Sequence, residues 1–158
     1  MDLYVQMFDI VSDMATRYRA VVTHTGRLDR VRPDVAEGLR ALTGRQDRYQ
    51  GRILNLALDY GGADSLIRAV RDLIGSGIDP ASVDESLLRN ALRPSDFPHV
   101  DPDLVIRTSG EHRLSGFMPL ESCYAEYHFP EVFYPDFSTD LADTALQSYS
   151  QRHRRFGN

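Results

Sequence analysis

Hydrophobic and polar positions along this chain recur with two periods, and the switches between them mark out a succession of helices and strands. From Asp2 to Arg19 the apolar residues Leu3, Met7, Ile10, Val11, Met14 and Tyr18 return at helical spacing opposite Asp9 and Asp13, which predicts an amphipathic helix. Its polar face opens with acids rather than Lys and Arg, so a core-packing role fits better than a membrane-surface one. Ala20-Val21-Val22-Thr23 is short and β-branched, ends at His24-Thr25-Gly26 and reads as a buried strand, with His24 a structural residue rather than a ligand. Arg32-Pro33-Asp34 starts a helix with proline in its first turn and Val35, Leu39 and Leu42 on its inner face. Arg45, Asp47, Arg48 and Arg52 follow as a solvated run.

Ile53-Leu54-Asn55-Leu56-Ala57-Leu58 is nearly all apolar, as expected of a central strand covered on both faces. Asn55 within it needs a hydrogen-bonding partner if buried. The run stops at Asp59-Tyr60-Gly61-Gly62, either a second site edge or a tight turn that uses glycine's freedom in φ. Leu66, Ile67, Val70, Leu73 and Ile74 supply the next helix, ended by Gly75-Ser76-Gly77. Ser82-Val83-Asp84-Glu85 has the form of a capping box before a helix through Leu87, Leu88 and Leu92. Pro94 and Pro98 mark a surface connection to a strand at Leu104-Val105-Ile106. Phe117 to Glu126 reads as a short amphipathic helix or turn, and Tyr127-His128-Phe129 as a last strand limited by Pro130. After an aromatic loop, Ser138 or Thr139 caps a final helix through Leu141, Ala145, Leu146, Tyr149 and His153.

Four strands, ending near Thr25, Asp59, Thr108 and Phe129, alternate with helices. This order implies an α/β fold, a mainly parallel central sheet with helices on both faces, in a single domain over residues 1–158. Ligands of such sheets bind at the carboxyl ends of the strands, a rim that includes Gly61, Arg107 and Arg113.

Composition narrows the function. A net charge of −5 and a pI near 5.5 argue against a nucleic-acid surface, so any anion site must be a local basic cluster. Cys123 is the sole cysteine, which excludes an intrachain disulfide; with no signal peptide, the cytoplasm is the default compartment. No apolar run approaches the length of a membrane span, so membrane association is at most peripheral. The five histidines lack zinc-ligand spacing, whereas a hard cation on oxygen ligands remains open.

The densest chemistry lies in Arg107-Thr108-Ser109-Gly110-Glu111-His112-Arg113-Leu114-Ser115-Gly116, directly after an apolar strand. Arginine offers a planar fork that fits phosphate oxygens, glycine lets backbone N–H groups approach, and Ser or Thr adds short donors. These types together point to a diphosphate. Structural ion pairing is the competing reading, with Glu111 a ready partner for either arginine. Likewise Glu126 alone reads as a strand-edge acid, Cys123 as a small buried residue, and Arg152 to Arg155 as a complement to a helix dipole.

Asp103-Leu104-Val105-Ile106-Arg107-Thr108-Ser109-Gly110-Glu111-His112-Arg113-Leu114-Ser115, then Tyr124-Ala125-Glu126, Pro135-Asp136-Phe137 and Arg154-Arg155-Phe156-Gly157, closely resemble the cis-prenyltransferases, the undecaprenyl diphosphate synthase family. Asn55 to Gly62 resembles that family's internal strand and turn. The resemblance covers essentially the whole chain but only the later two thirds of the family. Its first strand region and the Asp-Gly-Asn loop with the catalytic Asp have no counterpart in this sequence.

The resemblance implies that Arg107, Arg113 and Ser115 grip the diphosphate of isopentenyl diphosphate, with Glu111 and His112 in supporting roles. It implies Glu126 as an acid that helps hold magnesium, and Arg155 and Gly157 as a C-terminal motif reaching across a subunit interface. The implied reaction condenses isopentenyl diphosphate with an allylic diphosphate to form a cis double bond. With no catalytic Asp in the chain, the expected state is a hetero- or homo-oligomer with a cis-prenyltransferase chain. The alternatives are a non-catalytic stabilising partner, a degenerate homologue, or a gene model whose start lies upstream. Ala63 replaces an Arg common after Tyr-Gly-Gly, and Met118-Pro119-Leu120-Glu121 replaces a commoner Leu-Leu-Trp-Gln type of segment.

Overall fold

The computed structural model describes residues 3–44, 52–92 and 101–152. The chain divides into two compact units, Met1–Pro98 and His99–Asn158.

In the first unit the order is α1 (Leu3–Tyr18), β1 (Ala20–Thr25), α2 (Pro33–Thr43), β2 (Arg52–Ala57), α3 (Gly62–Gly75) and α4 (Glu85–Leu92). β1 and β2 pair in parallel, with Val22 beside Leu54, Thr23 beside Asn55 and His24 beside Leu56. Successive residues of a strand face opposite ways. One face therefore carries Val22, Leu54 and Leu56, which join Val11, Ala15 and Leu42 in a core completed by Met7 and Phe8. The other face carries Thr23 and Thr25, whose hydroxyls donate to Asn55 Oδ1 at 3.0 and 3.1 Å. The polar residue inside the apolar run thus has the partners that its position demands.

The expected inner faces need correction at two helices. α1 buries Val11 and Ala15, while Leu3, Ile10, Met14 and Tyr18 are exposed. α1 packs on α2 and β1, which cover only one side of its wide apolar arc. α3 buries Gly62, Ser65 and Ala69, small residues that admit close approach, and leaves Ile67, Val70 and Ile74 exposed. β2 is half-buried rather than covered on both faces; β1 is the more buried strand.

The start of α4 also departs from the capping-box pattern. Pro80 opens a 3₁₀ turn over Pro80–Ser82, and the Ser82 hydroxyl donates back to Asp79 O at 2.7 Å. Asp84 caps the helix instead, its Oδ1 accepting from Leu87 N–H at 2.7 Å. Pro94, Pro98 and the run Arg45 to Arg48 lie outside the described residues.

The second unit contains β3 (Leu104–Ile106), β4 (Glu126–His128) and α5 (Thr139–Ser150). β3 and β4 are parallel, with Leu104 beside Glu126 and Ile106 beside His128. Ser138 caps α5 through Leu141 N–H. Phe117 to Ala125 forms turns in which buried Ser122 donates to Met118 O and its own carbonyl accepts from the Tyr127 hydroxyl at 2.6 Å. Cys123, the next residue, faces solvent, contrary to the buried position expected of it.

The fold is therefore α/β with parallel strands. Among the described residues, however, the four strands form two hydrogen-bonded pairs, β1–β2 and β3–β4, where one continuous sheet was expected. No described strand continues either ladder beyond its pair.

Candidate functional site

β3 delivers Arg107 to the carboxyl end of the second unit's strand pair, where Arg107 N–H donates to His128 O at 3.0 Å. The chain then passes through left-handed conformations at Ser109 (φ 71°) and Gly110 (φ 62°), and again at Ser115 (φ 50°) and Gly116 (φ 77°). Glycine adopts this region without the steric cost that a side chain meets. Two such reversals fold the loop back on itself, so residues six and eight positions apart meet: the Arg107 guanidinium donates to the Arg113 carbonyl and, at 3.1 Å, to Ser115 Oγ.

Arg107 thus meets the Ser115 side chain but touches Arg113 only at its backbone carbonyl; the Arg113 guanidinium turns to Glu111. The backbone plays a different part from the one anticipated. Ser109 N–H donates to Val132 O at 2.7 Å and Gly110 N–H to Pro130 O at 3.0 Å. These donors anchor the loop to the segment after β4 and are not free for an anion. The donors not spent on the loop itself are on side chains: Arg107 braces the loop, and the Arg113 side chain is 65% exposed.

Arg113 forms an ion pair with Glu111, the arrangement that the competing structural reading required. A solvent-exposed pair of this kind contributes only about 0–1 kcal/mol. A diphosphate carries more charge than one carboxylate and also fits the guanidinium fork, so it can displace Glu111. His112 packs its ring against Phe129 with centroids 4.9 Å apart, and Phe129 stacks on Tyr127 at 5.9 Å. His112 therefore supports the loop by packing.

Glu126 stands elsewhere in this unit. It is the first residue of β4, beside Leu104, whereas Arg107 follows the end of β3. At about 3.3 Å per residue, the two backbones are separated by about 10 Å along the strands. The Glu126 side chain is 27% exposed, and its Oε2 accepts from Arg152 Nη1 at 2.5 Å. Arg152 also approaches Tyr127 O at 3.4 Å. Arg152 was expected only to complement a helix dipole; residues 26 apart in sequence carry no spacing signal that would have joined it to Glu126. Arg155 and Gly157 lie outside the described residues.

Glu126 has the donor chemistry that magnesium requires, a hard carboxylate oxygen in a position already holding a cation. No group of three or more His, Cys, Asp or Glu side chains is placed to hold a metal among the described residues. Any magnesium at Glu126 would therefore complete its shell with water and substrate phosphate oxygens, a common arrangement for this ion.

The strand ends of the first unit form a neutralised ion network. Arg27 pairs with Asp29 and reaches Asp64 at 3.4 Å; Arg68 holds Asp64 at 3.2 Å, and Arg30 holds Asp59 at 2.7 Å. The hydrogen bond from Arg27 lowers the Asp29 pKa to about 2, and the same bond raises Arg27 well above its usual range. His24 Nε2 lies 3.0 Å from Leu58 O, so it serves as a structural donor. Of the two readings of the glycine pair, the chain forms the turn, but its left-handed residue is Asp59 (φ 49°) and neither glycine.

Comparisons with known proteins agree with this architecture. The family described as "Putative undecaprenyl diphosphate synthase" matches residues 1–157. The chain is 37% identical over 163 residues to an isoprenyl transferase of Streptococcus pyogenes serotype M6, covering 99% of this chain and 66% of the relative. It is 35% identical to one of Streptococcus agalactiae serotype III, again over 66% of that protein. The chain thus spans 66% of the length of these curated relatives. A probable undecaprenyl diphosphate synthase from Campylobacter jejuni superposes with a TM-score of 0.84 at 26% identity, over 99% of this chain and 72% of that one. Lavandulyl diphosphate synthase from Lavandula x intermedia, solved with dimethylallyl diphosphate, gives a TM-score of 0.91 at 26% identity, over 98% and 68%. No described helix is long and apolar enough to cross a membrane. By its sequence over nearly its full length and by its fold, the chain belongs to the undecaprenyl diphosphate synthase family, whose curated members matched here are isoprenyl transferases.

Proposed function

We propose that this chain is a cis-prenyltransferase subunit that supplies the isopentenyl diphosphate half-site. The observation that supports the reading is that Arg107, Arg113 and Ser115 share one loop after β3, in which the Arg107 guanidinium holds the Arg113 carbonyl and Ser115 Oγ. Arg113 and the Ser115 hydroxyl bind the diphosphate, Arg107 holds both in register and adds its charge, and Glu111 occupies Arg113 until substrate arrives. Magnesium, held in part by Glu126, would offset charge on phosphate oxygens. In the condensation, the allylic C–O bond breaks, a C–C bond forms to the isopentenyl unit, and loss of a proton creates the new cis double bond.

The allylic diphosphate would be held and ionised by the family's Asp-bearing loop, on a second cis-prenyltransferase chain or on a longer form of this one. This sequence contains no Met-Asp-Gly-Asn motif. Exposed Leu3, Ile10 and Met14 share one face of α1 by their spacing, and such a stripe favours association. A rival reading makes the chain a non-catalytic partner that stabilises a full-length homologue; Glu111 occupying Arg113 is the observation in its favour.

Calorimetric titration with isopentenyl diphosphate separates the two. The half-site reading expects saturable binding that Arg113→Ala weakens about tenfold or more, as loss of one charge-assisted contact implies. Equal binding by wild type and Arg113→Ala, or none by either, favours the scaffold.

A further inference from the structure

Arg152 occupies the one carboxylate of the second unit to which the proposed function gives a metal. Its Nη1 contacts Glu126 Oε2 at 2.5 Å, a close charge-assisted contact. It lies just beyond the end of α5, where its own N–H donates to Tyr149 O at 3.0 Å. A guanidinium and a divalent cation repel each other, and both need close access to the same oxygens. They therefore compete for Glu126.

We propose that Arg152 is a built-in competitor cation that holds Glu126 in the metal-free molecule and must swing aside for a divalent cation to bind, so that it sets the metal affinity of the site. The proposal rests on the reading of Glu126 as a metal-holding acid. Arg152 follows the helix rather than lying within it, so its side chain can leave without breaking a turn of α5. Its release would free a positive charge beside the end of α5 whenever metal is bound. Arg152 is a positioning residue, acting through Glu126.

The test uses Mn²⁺ as probe, with free ion counted by electron paramagnetic resonance, on wild type, Arg152→Gln, Arg152→Lys and Glu126→Gln. Arg152→Gln should tighten Mn²⁺ binding about two- to fivefold, the range to which the strength of a partly exposed ion pair converts. Arg152→Lys, which keeps the charge, should stay near wild type, and Glu126→Gln should remove the binding. In parallel, Mg²⁺ should shift the Arg152 side-chain N–H resonance in wild type and leave it unmoved in Glu126→Gln. Unchanged or weaker Mn²⁺ binding in Arg152→Gln, with Glu126→Gln still abolishing it, overturns the competitor role and leaves the metal reading intact. Unaltered Mn²⁺ binding in Glu126→Gln overturns both. The resonance shift reads the same exchange in unmodified protein, so poor folding of a variant does not remove the test.

Discussion

Replacement of Arg107 by alanine should lower kcat/KM for isopentenyl diphosphate about 10- to 100-fold in the assembled enzyme, the scale for losing a charge-assisted hydrogen bond to a bound diphosphate. Two effects add. The substitution removes a positive charge from the site, and it releases the Arg113 carbonyl and Ser115 Oγ that the guanidinium holds together. Ser115 sits at φ 50°, a conformation that needs support from its surroundings, so the loop should loosen when that brace is lost. Arg107→Lys keeps the charge but lacks the fork, and should recover only part of the activity. Steady-state kinetics of the three proteins with the same partner chain would measure this. Full activity in Arg107→Ala would assign the loop a structural role only.

The largest effect on stability is expected at Gly26. Its φ of 130° belongs to glycine almost alone, and a Cβ there would lie 2.0 Å from Leu58 O. Backbone atoms block it, so no side-chain rotation relieves the clash. The same carbonyl accepts from His24 Nε2, and Arg27 N–H donates to Asp59 O at 3.1 Å, so any shift disturbs the link between the ends of β1 and β2. Gly26→Ala should cost about 3 kcal/mol, the sum of a forbidden conformation and an overpacked contact. Urea unfolding followed by circular dichroism would measure it; a midpoint equal to wild type would contradict the close approach.

Local sequence carried much of this fold. Pro33 marked the first turn of α2, β-branched residues marked β1, and a lone Asn55 in an apolar run announced a hydrogen-bonded pair that Thr23 and Thr25 complete. The meeting of Arg107 with Ser115 was legible because a short loop rich in Gly and Ser joins them, whereas the sequence offered Glu111 and an anion as alternative partners for Arg113. What escaped depends on contacts distant in sequence or on choices among equivalent local options. The partners of Ser109 and Gly110 N–H lie beyond β4, so nothing near the loop shows that these donors are occupied. The Glu126–Arg152 pair joins a strand to the end of a helix. The buried arc of α1 depends on where α2 and β1 touch it, since its apolar residues span more than one face. At α4, both Ser82 and Asp84 have cap chemistry, and the 3₁₀ turn at Pro80 decides for Asp84.

The half-site assignment meets its most direct test in product formation. The purified chain should be incubated with magnesium, isopentenyl diphosphate and an allylic diphosphate, alone and with a family member that carries the Asp-Gly-Asn loop but has its own matching arginines replaced. The assignment predicts no prenyl product from either chain alone and product from the mixture, lost again when this chain carries Arg107→Ala. Robust product from this chain by itself, or a mixture as inactive as its parts, would contradict it.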